Sequence, residues 1–204
     1  SLLPFAFMTL TAFVKISTVL QIVRGAIGAS NVPSNAIVLA LSGALTLLAM
    51  APVGSRIAER AEPLLDSASE HASTAWLVSL VQAAREPMRS FLNANASAKE
   101  RTRFYELARS ARQGAERERV GREDLVVLIP AFVVSELTKA FALGFALYLP
   151  FLVIDLVVSN VLLALGMQML NTTQVSLPFK LLLFVAVDGW GLLAQTLVSG
   201  YHAG

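Results

Sequence analysis

Seven charged side chains stand alone in apolar sequence, and they are the residues best placed to do chemistry: Lys15, Arg24, Glu136, Lys139, Asp155, Lys180 and Asp188. The other 23 charges all fall within residues 55–124, while residues 1–54 and 125–204 make up 134 positions. A charge in apolar surroundings is costly unless it is paired or used, so each of the seven is a candidate for ion pairing, for setting subunit register or for relaying protons. Glu136 and Lys139 are three apart and are neighbours on one helical surface. Lys180 and Asp188 are eight apart, about 12 Å along a helix axis and too far to touch. Each therefore needs a partner from another element, and Glu136 is the expected cross-helix partner of Lys180, within one subunit or between subunits. A second constellation is Gly166-Met167-Gln168-Met169-Leu170. Methionine is unbranched and adaptable, so a ring of such side chains from several copies could close around a passing chain.

Other chemistries lack their residues. There is no Walker-type phosphate loop, no dinucleotide fingerprint and no nucleophile elbow. His71 and His202 are the only histidines and are far apart, so neither a metal cluster nor a cofactor is expected. Cysteine is absent, which removes thiol catalysis and disulfides. The block 55–124 carries 12 Lys/Arg against 11 Asp/Glu, too balanced for a nucleic-acid surface. These features argue against an enzyme.

The elements that must position the seven charges are helical and apolar. The 204 residues are 55% hydrophobic, and the mean hydropathy of +0.65 points to a membrane protein. Residues 3–29 form one apolar segment, followed by a turn at Asn31-Val32-Pro33-Ser34-Asn35. Residues 36–54 hold no charge over 19 positions, about 28 Å of helix, with Pro52 and Gly54 as the expected end. The run 125–166 is a third segment, expected to kink at Pro130 and Pro150. A loop is expected from Asn171 through Ser176, and a last helix from about Leu177 to Leu197. The runs are too continuously apolar for barrel strands.

The fold expected is therefore all-α, with four long apolar segments arranged as two hairpins around a polar insertion. The domains are 1–54, 55–124 and 125–204. Within the insertion, Ala75, Trp76, Leu80, Val81, Ala84, Met88, Phe91 and Leu92 recur at amphipathic-helix spacing. Phe104, Leu107, Ala108 and Ala111 make a shorter stripe, and residues 114–124 read as a solvated loop.

Several blocks occur together in a familiar order. They are Phe13-Val14-Lys15-Ile16, Val23-Arg24-Gly25-Ala26-Ile27-Gly28, Met50-Ala51-Pro52 and Ser135-Glu136-Leu137-Thr138-Lys139-Ala140-Phe141. The longest are Leu149-Pro150-Phe151-Leu152-Val153-Ile154-Asp155-Leu156-Val157-Val158 and Ser176-Leu177-Pro178-Phe179-Lys180-Leu181, followed by Val187-Asp188-Gly189-Trp190. Together they resemble the SctR/FliP family of type III secretion export-gate proteins, over nearly the whole chain and most weakly across 56–124. The Phe13-Val14-Lys15 segment looks more like the injectisome branch than the flagellar one.

The resemblance implies a homo-oligomer, a pentamer, at the bacterial inner membrane. It implies SctS/FliQ-like and SctT/FliR-like subunits beside it, SctU/FlhB-like and SctV/FlhA-like components as associates, and unfolded proteins as cargo. It also implies that residues 55–124 lie on the periplasmic side. The family's methionine-rich loop maps onto Met167, Gln168 and Met169. Relatives carry three or more methionines in a row there, whereas Gln168 interrupts the run here. The competing class is a secondary transporter or proton channel relaying protons through Glu136, Asp155 and Asp188.

Overall fold

The structure, a computed structural model, describes residues 3–29, 33–66, 74–167 and 169–202, with the side chains at 3, 64–66 and 74–77 left aside. His71 and Gln168, the Asn31-Val32 half of the expected turn, and the Ala75 and Trp76 side chains of the expected stripe lie outside the described residues. The described residues form nine helices and no strand. They are α1 (Leu3–Leu10), α2 (Phe13–Ile27), α3 (Asn35–Asp66), α4 (Thr74–Asn95), α5 (Ala98–Ser110), α6 (Ala115–Glu118), α7 (Leu125–Ala164), α8 (Thr172–Ala186) and α9 (Gly189–Ser199). The fold class is all-α. Two helices, α3 and α7, are long and apolar enough to cross a membrane, and the number rises to four if α1 with α2, and α8 with α9, each count as one bent span.

Several boundaries differ from those expected. Helix α3 does not end at Pro52 and Gly54 but runs 32 residues, through Pro52 and Pro63. A proline removes one backbone donor, yet the helix survives where packing and side chains compensate. Here Val53 is 1% exposed in the core, so burial carries the helix across Pro52. Helix α7, by contrast, is the one long third segment expected, 40 residues running through Pro130 and Pro150. The expected loop at 171–176 is the first turn of α8, capped by Asn171, whose side chain accepts from the Thr173 N–H at 3.0 Å. The expected single last helix breaks at Asp188, which adopts φ 50°, and α8 and α9 meet at 59°. Gly189 makes that bend possible, because a Cβ there would overlap the Phe184 ring. The charged stretch 114–124 contains the short exposed helix α6 rather than only loop.

The chain divides into two compact units. Unit 1 comprises Ser1–Val14, Thr46–Leu137 and Tyr201–Gly204, and unit 2 comprises Lys15–Leu45 and Thr138–Gly200. The core of unit 1 is aromatic: Phe91 and Phe132 are fully buried with ring centroids 5.5 Å apart, and Tyr201 stacks on Phe91 at 5.9 Å. Helix α5 starts on a Ser97 N-cap, whose hydroxyl accepts from the Glu100 N–H at 3.3 Å. Unit 2 is thinner. It buries Ile16, Val19, Leu20 and Val23 along one face of α2 and packs Phe184 against Phe151 and Trp190.

Candidate functional site

Unit 2 has a buried polar centre on α8. Ser176 and Lys180 are one helical turn apart and so share a face. Lys180 is 2% exposed, and its ammonium donates to Asp155 Oδ2 on α7 at 2.6 Å and to the Ala26 carbonyl at 3.0 Å. The other Asp155 oxygen, Oδ1, accepts from the Ser176 hydroxyl at 2.6 Å. Ala26 lies in the last turn of α2, where carbonyls lack helical partners and the helix dipole is negative. Gly28 then takes φ 79°, the left-handed turn that ends such helices. One buried cation thus satisfies a carboxylate and a helix C-terminus together, and binds three helices of the unit to each other. The expected partner within the chain was Glu136, and the structure gives Asp155 instead. Sequence reasoning placed Asp155 among the candidates but missed Ser176, whose i, i+4 spacing from Lys180 was the available signal.

Glu136 belongs to a different arrangement, in unit 1. It is fully buried on α7 and interacts with Tyr201. The Tyr201 hydroxyl also lies 3.1 Å from the Ala12 carbonyl, so one phenolic proton serves two acceptors. Burial, and then the neighbouring Glu136 carboxylate, raise the pKa of Tyr201 above its usual value and keep it a neutral donor. Next to it, buried Asn95 donates to the Phe91 and His202 carbonyls at 2.8 and 2.7 Å and accepts from the His202 N–H at 3.1 Å. The Ser97 N–H donates to Ser135 Oγ at 2.9 Å, and that hydroxyl donates to the Ala131 carbonyl at 2.6 Å. The chain's final described residues are thereby tied into the core of unit 1.

Met167 and Met169 lie between the capped ends of two helices. Helix α7 ends in a Schellman arrangement: the Met167 N–H donates to the Leu162 carbonyl at 2.9 Å and Gly166 N–H to Leu163 at 3.1 Å, with Gly166 at φ 71°. Met167 is 49% and Met169 100% exposed. Met167 follows the α7 end at Gly166, and Met169 precedes the Asn171 cap of α8. Of the remaining candidates, Lys15 is buried on α2, Arg24 donates to Asn35, Lys139 is exposed on α7 and Asp188 is exposed at the α8–α9 bend. The structure therefore brings Asp155 and Lys180 together and does not bring Asp188 to either. Among the described residues no group of acidic, histidine or cysteine side chains could hold a metal ion.

Comparison with known proteins follows the same length of chain. The model of the FliP family matches residues 1–197. The chain is 41% identical to the hypersensitivity response secretion protein HrcR of Ralstonia nicotianae, over 99% of this chain and 93% of that protein. It is 39% identical to the Yop proteins translocation protein R of Yersinia pestis, over 98% and 91%. It is 36% identical to the flagellar biosynthetic protein FliP of Agrobacterium fabrum, over 99% and 80%.

Proposed function

The chain belongs to the FliP family, and we propose that it is a core subunit of a type III protein secretion export gate in the bacterial inner membrane. The observation that carries this reading is likeness along almost the whole chain to proteins named for secretion and translocation. Higher identity to these relatives than to the flagellar one favours the injectisome branch. The exposed apolar surface supports an assembled rather than a solitary chain: only 11% of the most apolar window of α7 is buried within the protein. Lipid covers part of such a surface, and other subunits cover the rest.

In this reading several copies, a pentamer, assemble with SctS/FliQ-like and SctT/FliR-like subunits and with SctU/FlhB-like and SctV/FlhA-like components. Met167 and Met169, with Gln168, line a constriction that fits itself around an unfolded chain and closes when empty, since apolar constrictions gate by dewetting. The exposure of Met167 and Met169 between two capped helices is what supports that role. The exposed charges Lys139 and Asp188 set contacts between subunits, Glu136 is held inside unit 1 beside Tyr201, and Lys180 and Asp155 hold unit 2 together. No bond-breaking step is assigned to the chain.

Native mass spectrometry of the chain co-expressed with its small membrane-protein neighbours tests the reading. A discrete ring of several copies carrying those neighbours is the expected result. A monomer that ignores them and conducts protons when reconstituted would replace the export gate with a transporter.

A further inference from the structure

Within unit 2, helix α7 carries a ridge on one face and two cavities along the other. At about 100° per residue, Phe141, Phe145, Leu149, Leu152, Leu156 and Leu163 fall within about 80° of one another. All six are exposed, from 36% to 63%. Leu143, Leu147, Val157 and Val161 fall on the opposite side of the helix, and the cavities lie there. One, of about 210 Å³, opens beside the α8–α9 bend, and its floor is the buried side chains of Val23, Phe151, Phe184 and Leu193. The other, of about 540 Å³, lies between α7 and the residues Val175 and Phe179 of α8. Among the described residues no charged side chain lines either cavity.

The two faces fit each other in size and in height. An apolar cavity of about 150 Å³ holds a benzene ring, so the smaller cavity takes one phenyl group. Phe145 stands at the level of that cavity, between Leu143 and Leu147 in sequence, yet on the far side of α7. It cannot fill the cavity of its own chain, but it can fill that of a second copy. Joining unlike faces is a heterologous contact, which either closes into a ring or runs on as a filament. The ridge spans 141–163 and the α7 lining of the cavities spans 143–165, so the joint needs rotation with little shift along the helix, the condition for closure. At about 150–200 Å² per large side chain, the exposed parts of the ridge amount to about 500–600 Å². An equal share from the cavity face gives about 1,000 Å² or more per joint, the area a specific interface needs. We propose that a second copy of this chain covers the cavity face, with its α7 ridge laid along the two cavities and its Phe145 ring seated in the smaller one. The proposal rests on the homo-oligomeric reading above and assigns the surfaces that make the ring. Close packing of side chains holds such a joint whether lipid or water surrounds it.

The chain has no cysteine, so an introduced pair reports without background. The test is oxidation of Phe145→Cys/Leu192→Cys, in the full chain co-expressed with its membrane-protein neighbours, read on a non-reducing gel. Leu192 is an exposed residue at the rim of the smaller cavity, and α7 stands between it and Phe145 of the same chain. A disulfide needs Cβ atoms about 4 Å apart, so the pair links only between copies. The expected result is a ladder of linked copies up to the whole ring. Phe145→Cys/Leu182→Cys, with the second cysteine exposed on α8 away from both cavities, should give no ladder. Phe145→Asp should abolish the oligomer in native mass spectrometry and leave the unfolding temperature of the released monomer unchanged, because the side chain is exposed. A wild-type oligomer whose Phe145/Leu192 pair gives no ladder would overturn the interface and leave the export-gate reading standing. A chain that stays monomeric beside its neighbours would overturn both. A photo-crosslinker at position 145 that labels only lipid, or only a different subunit, would assign the ridge elsewhere and overturn the proposal too.

Discussion

The two units solve the problem of burying polar groups in opposite ways. Around its aromatic core unit 1 closes its network with Asn95, Ser135, Tyr201 and backbone groups, with Glu136 beside them, and keeps the ion pair of buried Glu100 with Arg103 within α5. Unit 2 centres on an ion pair that joins separate helices, Lys180 with Asp155, steadied by Ser176 and the end of α2. Their surfaces differ in the same direction. Among the described residues, 22 of the 31 large exposed apolar side chains belong to unit 2. A region with its own aromatic core and a tied-down chain end needs less from its neighbours. A region with a thin core and an apolar exterior is completed by lipid and by other subunits. The comparison assigns self-contained folding to the first and assembly to the second.

The sharpest way to break that contrast is at the ion pair. Lys180→Ala leaves the Asp155 carboxylate without its cation, and loss of one partner of a buried pair costs about 3 kcal/mol or more. Scanning fluorimetry of the detergent-solubilised chain should show a large fall in unfolding temperature. The double variant Lys180→Met/Asp155→Leu should recover most of that loss, because an apolar pair removes both charges at once. A double variant as unstable as the single one would mean that the pair contributes something other than charge compensation.

Asn95→Ala probes unit 1 and should cost less, about 1–3 kcal/mol, from the His202 groups left without their partner. Faster hydrogen exchange at residues 201–202 is the local readout. An effect as large as that of Lys180→Ala would undo the distinction between the units. The Tyr201 phenol gives a smaller, pH-dependent effect. Its pKa is raised in the folded protein, so its contribution is fully present below about pH 10 and is lost as pH rises beyond that. Unfolding temperature should fall more steeply above that pH in the wild-type chain than in Tyr201→Phe. The smallest effect on stability belongs to Met169→Ala, within about 0.5 kcal/mol, because the side chain is wholly exposed.

Much of this was legible in the sequence, for identifiable reasons. Charge-free runs such as residues 36–54 admit no soluble helix pattern, so the all-α, membrane-associated class followed from composition and length. The isolated charges marked Asp155 and Lys180 as residues that needed partners. Their pairing was hidden because it is a tertiary choice across 25 residues, and Glu136 satisfied the same charge rule. Pro52 misled for a related reason: local preference says stop, whereas burial of Val53 carries the helix onward. The bend at Asp188 was unreadable because it requires a left-handed aspartate, a conformation that side-chain type alone does not announce. Gly166 did signal the end of α7, and the turn that presents Met167 and Met169 follows from it.

The most direct test of the export-gate account is to place a photo-crosslinking residue at position 169 in the assembled secretion machine and to arrest a translocating substrate there. The account predicts a covalent adduct between position 169 and the substrate's unfolded segment, while a crosslinker at Val81 labels no substrate. Substrate adducts absent at position 169, with only lipid labelled there, would contradict it.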